Sequence, residues 1–254
     1  MTESPLLVKE VHLNTFIENM QVSSFEKFTL LDYPGKLVVV VFTPGCVFRC
    51  PFCHNPELVK PTDAHSQHLF LNNRETEFFT FLETRIGKLD GVCITGGEPT
   101  LQKDLINFIR TVKEKGFLVK LDTNGIFPDI VEAILDTGLV DYWAMDIKHA
   151  PEKYPLATGR NLNMLNIQRS VDLLMTRAKD YEFRTTIVPS IHEVSDFDAI
   201  GTWIHGAKHY ALQKFRDGKI IDPYLTDRAK GKTIDLNSVR TRLLSHVDFI
   251  EIRE

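Results

Sequence analysis

Residues 37–56 read LVVVVFTPGCVFRCPFCHNP, an unbroken apolar run followed at once by a loop that carries three cysteines. The run over 37–43 is short, rich in valine and free of polar alternation, as expected of a strand buried in a parallel sheet. The residues after it include Pro44, Gly45, Pro51 and Pro56 and have no helical period, which predicts an irregular loop at the strand's C-terminal end. In parallel α/β architectures that end is where active sites gather. Spacings of four and three residues let the thiols of Cys46, Cys50 and Cys53 converge on one centre.

Outward from this stretch the chain keeps one rhythm. Apolar runs recur at 91–95, 118–122, 142–147, 183–188, 210–215 and 249–252. Between them, helical periodicity predicts helices near 74–87, 102–115, 128–137, 163–178, 195–207 and 235–246. Gly116 is placed as a C′ glycine, and Ser195 or Asp196 as a cap of the fifth helix. Strands alternating with helices indicate an α/β fold whose parallel sheet is covered on both faces. Upstream of the first run, Pro34-Gly35 has the chemistry of a type II turn, so a strand over about 24–31 folds back on it as a hairpin.

The chain has 254 residues, 43% of them hydrophobic, with 30 Lys and Arg against 34 Asp and Glu and a formal net charge of −4. This composition is globular. A mildly acidic chain lacks the Lys/Arg excess that phosphate neutralisation needs, so no nucleic-acid partner is expected. Residues 1–20 contain Glu3, Lys9, Glu10 and Glu18 without an apolar core, unlike a signal peptide. No run approaches the ~20 apolar residues of a membrane span. A cytoplasmic location follows as the expectation, and in a reducing compartment clustered cysteines read as metal ligands or redox groups.

A structural zinc takes four protein ligands, usually as two separated pairs, and no second pair is present. Cys93 is the only other cysteine and reads as a small core residue. Three thiolates suit an iron–sulfur cluster with one iron left open, and a loop zinc knuckle stays open beside it. Gly96-Gly97-Glu98 ends the second strand with freedom for close backbone approach and a carboxylate able to receive a cation. Asp122-Thr123-Asn124-Gly125 ends the third, and Asp146, followed by Lys148, ends the fourth. Two aspartates on neighbouring strand ends repel unless something positive lies between them. Arg184 opens the next strand with a guanidinium suited to a carboxylate, either of a ligand or of a surface salt bridge.

Cys-x3-Cys-x2-Cys with Phe52 before the third cysteine resembles the signature of radical S-adenosylmethionine enzymes. More narrowly, Asp32-Tyr33-Pro34-Gly35, Phe42-Thr43-Pro44-Gly45-Cys46, Cys53-His54-Asn55-Pro56-Glu57-Leu58, Thr95-Gly96-Gly97-Glu98-Pro99, Leu121-Asp122-Thr123-Asn124-Gly125, Met145-Asp146-Ile147-Lys148 and Arg184-Thr185-Thr186-Ile187-Val188-Pro189 resemble the activating proteins of anaerobic ribonucleoside-triphosphate reductase, relatives of pyruvate formate-lyase activating enzyme. The resemblance implies a partial (β/α)6 TIM-like barrel over 24–254, with an N-terminal hairpin and an N-terminal extension over 1–23. It implies one [4Fe–4S] cluster on Cys46, Cys50 and Cys53, with S-adenosylmethionine held by Phe52, His54, Gly96, Gly97, Glu98, Asn124, Lys148 and Arg184. Within that set Phe52 and His54 meet the adenine, the Gly-Gly-Glu strip meets the ammonium and Arg184 the carboxylate. It adds a monovalent cation on Asp122, Thr123 and Asp146 with a nearby carbonyl, that of Ala144. A proline expected after Arg216 is replaced by Asp217, which puts in question how the loop there closes. No cysteine set for an auxiliary cluster lies between Cys53 and Glu75. His12, His65, His68, His205, His209 and His246 read as surface or packing residues.

The chemistry so implied is reductive cleavage of S-adenosylmethionine, fed by a low-potential donor such as flavodoxin or ferredoxin. The resulting deoxyadenosyl radical takes a hydrogen atom from a glycine Cα of a glycyl-radical enzyme, foremost anaerobic ribonucleotide reductase. A backbone target accounts for the absence of a side-chain nucleophile or acid–base dyad. The alternatives are activation of a pyruvate formate-lyase type enzyme, a small-molecule substrate, or a zinc-stabilised binding module without catalysis.

Overall fold

The computed structural model describes residues 20–253, which form one eight-stranded sheet in the order β1 to β8. The strands are β1 (Ser24–Thr29), β2 (Val38–Thr43), β3 (Gly91–Gly96), β4 (Leu118–Thr123), β5 (Tyr142–Asp146), β6 (Tyr181–Ile187), β7 (Ala207–Lys214) and β8 (Val247–Arg253). β1 is antiparallel to β2, and every later pairing is parallel. Each strand from β2 to β7 is followed by a helix before the next strand, giving six β/α units and a closing strand. The architecture is therefore the expected α/β partial barrel with its N-terminal hairpin. At the hairpin, Lys36 N donates to Tyr33 O at 3.1 Å, and Gly35 takes φ +67°, as the Pro-Gly turn requires.

The apolar runs form strands where expected, but the last three strands begin two or three residues early. Their extra residues, such as Glu182, Lys208 and Asp248, are polar and broke the hydrophobic signal. Helix Pro128–Thr137 matches its expected span, and the other anticipated helices are trimmed at their ends. Ser195 sits at the N-cap of Asp196–Trp203 without a side-chain capping bond, while Asp196 instead accepts from the Glu193 amide at 2.7 Å. Short helices at Pro56–Val59, Ala64–Leu71, Tyr154–Thr158 and Leu225–Ala229 were not anticipated, being too short to show a period.

Helices cover only one face of the sheet, which corrects the expectation of cover on both. The outer face joins Val39, Val41, Val92, Ile94, Trp143 and Phe183 to helix residues such as Phe78, Phe108, Val131 and Ile167 in the main core. Residues 20–23 are packed there too, with Met20 and Val22 buried and Val22 N bonded to Asn73 Oδ1 at 3.0 Å. The remainder of the expected extension, up to residue 19, lies outside the described residues.

The inner face has its own small cluster of Tyr33, Val38, Val40, Cys93 and Tyr142. Tyr33, carried in by the hairpin turn, meets Tyr142 at 5.5 Å between ring centroids and plugs the N-terminal end of the lumen. Above it the register aligns Cys93 with Lys120, Lys120 with Tyr142, Asp122 with Ala144, Ala144 with Glu182, and Asp146 with Arg184. Charged side chains thus line the lumen and must pair.

Arg253 on β8 reaches across β7 to bind Glu182 bidentately, at 3.0 and 2.6 Å, and the Tyr142 hydroxyl donates to the same carboxylate. Removing the guanidinium leaves a buried carboxylate with one neutral donor. Arg253→Met should lower stability by about 3 kcal/mol in urea unfolding, and adding Glu182→Leu should recover most of the loss. Equal destabilisation in the double variant would refute the pairing as the cause.

Candidate active site

The loop after β2 is held by the ends of its neighbours. Gly45 N donates to Leu58 O at 2.7 Å, Cys53 N to Cys50 O at 3.0 Å, and Arg49 N to Thr158 O at 2.8 Å. The Arg49 guanidinium folds back on the carbonyls of Cys46 and Phe48, at 2.6 and 2.7 Å. From β3, Gly97 N donates to Thr43 O and Glu98 N to Gly45 O, at 2.8 and 2.7 Å. A Cβ on Gly97 would overlap the carbonyl of Gly45. The expected close backbone approach at the Gly-Gly pair is therefore made by the cysteine loop itself.

The cluster and cofactor residues expected from the sequence, with Asp122, Thr123 and Asp146, line one pocket of about 210 Å³ at the C-terminal ends of the strands. Ala144, expected to lend a carbonyl, is instead buried in β5 and does not line it. Cys46, Cys50 and Cys53 line the pocket together with Phe52 and His54. Gly96, Gly97 and Glu98 arrive from β3, Asp122, Thr123 and Asn124 from β4, Asp146 and Lys148 from β5, and Arg184 from β6. Phe48, Asn55, Thr95, Pro99 and Thr186 also contribute and were not foreseen. His65, His68, His205, His209 and His246 lie outside it, and His12 lies outside the described residues. Cys93 also lies outside, fully buried in the inner cluster.

Burial disfavours the thiolates. It pushes Cys50 up to about 12 and raises Cys46 and Cys53, against a weaker opposing pull from Lys148 on Cys50 and Cys53. A metal centre displaces thiol protons on binding, so three thiols lining one pocket suit an iron–sulfur cluster. Asn124 Nδ2 approaches Cys46 Sγ at 3.7 Å.

Glu98 is 1% exposed and fully bonded. One oxygen accepts from the Thr100 amide and hydroxyl and from the Thr123 hydroxyl at 2.8 Å, and the other accepts from Asn124 N at 2.7 Å. Burial raises its pKa even so. Besides facing the pocket, Glu98 clamps the end of β4 to the end of β3.

The two aspartates are separated by Arg184. Its Nε donates to Asp146 at 3.0 Å and its Nη1 to Asp122 at 3.1 Å. Lys148 donates to the other Asp146 oxygen at 2.8 Å, and Lys120 pairs with the other Asp122 oxygen. Burial opposes ionisation of Asp146, but Lys148 and Arg184 hold it down to about 2, and Arg184 and Lys120 hold Asp122 low in the same way. Sequence reasoning named all of these except Lys120, a lysine inside the apolar run Val119-Lys120-Leu121. That misfit was the available signal.

His149 and His192 were also missed. They stack at 4.6 Å between centroids beside the pocket. His192 Nδ1 accepts from Val188 N at 3.1 Å, so its Nε2 donates to Lys148 O at 2.9 Å and ties the loop after β5 to the loop after β6.

The loop after β7 closes over the cysteine loop despite Asp217 in place of proline. His54 Nε2 bonds Arg216 O at 2.8 Å, Asp222 N donates to Pro51 O at 3.0 Å, and Lys219 pairs with Glu57 at 3.0 Å. β2 and β7 are five strand steps apart, about 24 Å in a flat sheet, so these contacts require the sheet to curl. A recess of about 420 Å³ shares His54 and Thr186 with the pocket, and one of about 590 Å³ shares Lys214 and Asp217 with that recess. The pocket and the two recesses thus adjoin along shared lining residues in the direction of β8.

Residues 40–199 match the profile of the Radical SAM superfamily. A Methanocaldococcus jannaschii protein assigned as a glycyl-radical enzyme activating enzyme is 31% identical, covering 91% of this chain and 95% of its own length. The pyruvate formate-lyase-activating enzyme of Streptococcus mutans is 29% identical over 81% of this chain and 77% of its own. Among solved structures, Streptococcus suis SuiB superposes with a TM-score of 0.59 at 14% identity, over 85% of this chain and 48% of that one, a likeness of fold.

His192 supplies a pH test of the loop tie. Burial, then the neighbouring His149, lowers its pKa from 6.5 to about 4. The unfolded chain therefore takes up the proton first as pH falls, so the stabilisation is complete above pH 6.5 and is lost toward pH 4. Between pH 7.5 and 5 the loss should be about 2 kcal/mol in urea unfolding, and His192→Phe should remove that part of the pH dependence. An unchanged dependence would show that His192 is not held neutral.

Proposed function

The chain belongs to the radical S-adenosylmethionine superfamily, and from that premise we propose that it activates anaerobic ribonucleoside-triphosphate reductase by taking hydrogen from a backbone glycine. Membership brings the [4Fe–4S] cluster and S-adenosylmethionine, and the near full-length relationship to a glycyl-radical activating enzyme brings a glycyl-radical partner. The observation that supports this reading most is a three-thiol pocket with a wider cleft beside it. Such a cleft admits a loop of another protein.

When bound, the cluster supplies the single electron that cleaves the carbon–sulfur bond of S-adenosylmethionine, so the difficult chemistry belongs to the cofactor. The chain holds and shields it. Cys46, Cys50 and Cys53 would ligate three irons. Arg184 and Lys148 would receive the cofactor's carboxylate, Glu98 its ammonium, and Phe52 with His54 would flank its adenine beside Asn124. Gly96 and Gly97 keep the cysteine loop against β3, and the buried phenylalanines beneath keep water from the reacting atoms. The electron would come from a low-potential carrier such as flavodoxin or ferredoxin. Residues 24–254 would act as the catalytic domain.

Activation of a pyruvate formate-lyase type enzyme is the second reading, favoured by the Streptococcus mutans relative. Mixing the reduced, reconstituted protein with each candidate partner should give the glycine-centred doublet in spin resonance with the reductase. A doublet with the lyase alone would select the second reading. Deoxyadenosine formation with no doublet from either would indicate a small-molecule substrate.

Cys50→Ala should abolish cluster absorbance after anaerobic reconstitution, whereas Cys93→Ala should retain it. Loss in the Cys93 variant, or stoichiometric zinc in the wild-type protein without cofactor cleavage, would overturn the ligand assignment.

A further inference from the structure

The monovalent cation implied for Asp122, Thr123 and Asp146 does not fit the side chains that surround them. Both oxygens of Asp122 have cationic partners, Lys120 and Arg184, and both oxygens of Asp146 have theirs, Arg184 and Lys148. The Thr123 hydroxyl donates to Glu98 at 2.8 Å and accepts from Gly125 N at 3.1 Å. Lys120, Lys148 and Arg184 already outnumber the two aspartates they pair with, so these carboxylates need no further cation. A sodium or potassium ion would add an uncompensated cation in a place of low dielectric.

Lys120 is the residue that makes this balance. Its side chain is 1% exposed and rises from the middle of β4, with Asp122 and the Cys93 thiol, at 3.8 Å, as its described partners. A buried ammonium is tolerated only when paired, and its position below Asp122 leaves the upper oxygen of that carboxylate to Arg184. We propose that Lys120 is the built-in counter-cation of the cofactor pocket. It supplies at Asp122 the positive charge a metal ion would otherwise bring, and through Asp122 it fixes Arg184 for the cofactor's carboxylate. Lys120 is thus a positioning residue, and S-adenosylmethionine binding requires no sodium or potassium. This inference rests on the radical S-adenosylmethionine reading of the pocket.

The test is S-adenosylmethionine affinity of the reconstituted holoprotein, by equilibrium dialysis, with potassium, sodium or tetramethylammonium as the sole added cation at equal ionic strength. Wild-type affinity should agree within about twofold across the three. Lys120→Met should bind at least about tenfold more weakly in tetramethylammonium, ~1.4 kcal/mol, and recover in potassium or sodium, which are small enough to enter the vacated position. Lys120→Met with Asp122→Asn removes both charges and should respond to no cation. A tenfold loss for the wild type in tetramethylammonium would overturn the proposal without reference to any variant, as would wild-type affinity of Lys120→Met in tetramethylammonium. Absence of binding by the wild type in every buffer would instead defeat the cofactor reading, and this proposal with it.

Discussion

Two carboxylates on adjacent strand ends, Asp122 and Asp146, stay ionised together because the Arg184 guanidinium lies between them, with Lys120 and Lys148 on their other oxygens. Arg184 comes from β6 and reaches over β5 to a partner on β4, so the pairing also requires the strands to turn their ends toward one another. The charge constraint and the curvature are one constraint. Below it, the Glu182–Arg253 pair ties β8 to β6 across β7 in the same manner. The lumen is organised by electrostatics, while the face beneath the helices is organised by apolar packing.

The first strand and its cysteine loop were legible because an uninterrupted valine run and a proline-rich sequel have few other readings. The strand-end residues were legible for a related reason: parallel topology sends the ends of the strands to one edge, so Glu98, Asp122 and Asp146 fall together. Arg184, read as opening its strand, sits instead in the middle of β6. Side-chain partners were harder. Arg184 was read as pairing with a ligand's carboxylate or in a surface salt bridge, whereas it holds both buried aspartates; nothing in one dimension reveals that it can span two strands. Lys120 stood in plain view as a charge within an apolar run, but its neighbour is set by the pleat, which returns every second residue to the lumen. His149 and His192 carried no spacing signal, since their partners are backbone groups on other loops.

Glu98 shows how one side chain serves two needs. As a pocket carboxylate it suits a cationic ligand group, and as the acceptor of four donors it joins two strand ends. Its rigidity follows from the second role. A carboxylate fixed by neighbours on β3 and β4 presents its charge in one place, with little reorganisation when a ligand arrives.

The curl of the sheet is completed at its top by loops, since β8 does not pair with β1. Among the described contacts of this seam are two hydrogen bonds, the Lys219–Glu57 ion pair and the His54–Phe215 ring contact. Exposed contacts of this kind are worth about 1 kcal/mol or less each. Parting such contacts breaks no strand ladder, so the cleft can widen for a bulky guest while the charged side chains on β4 to β6 keep their geometry.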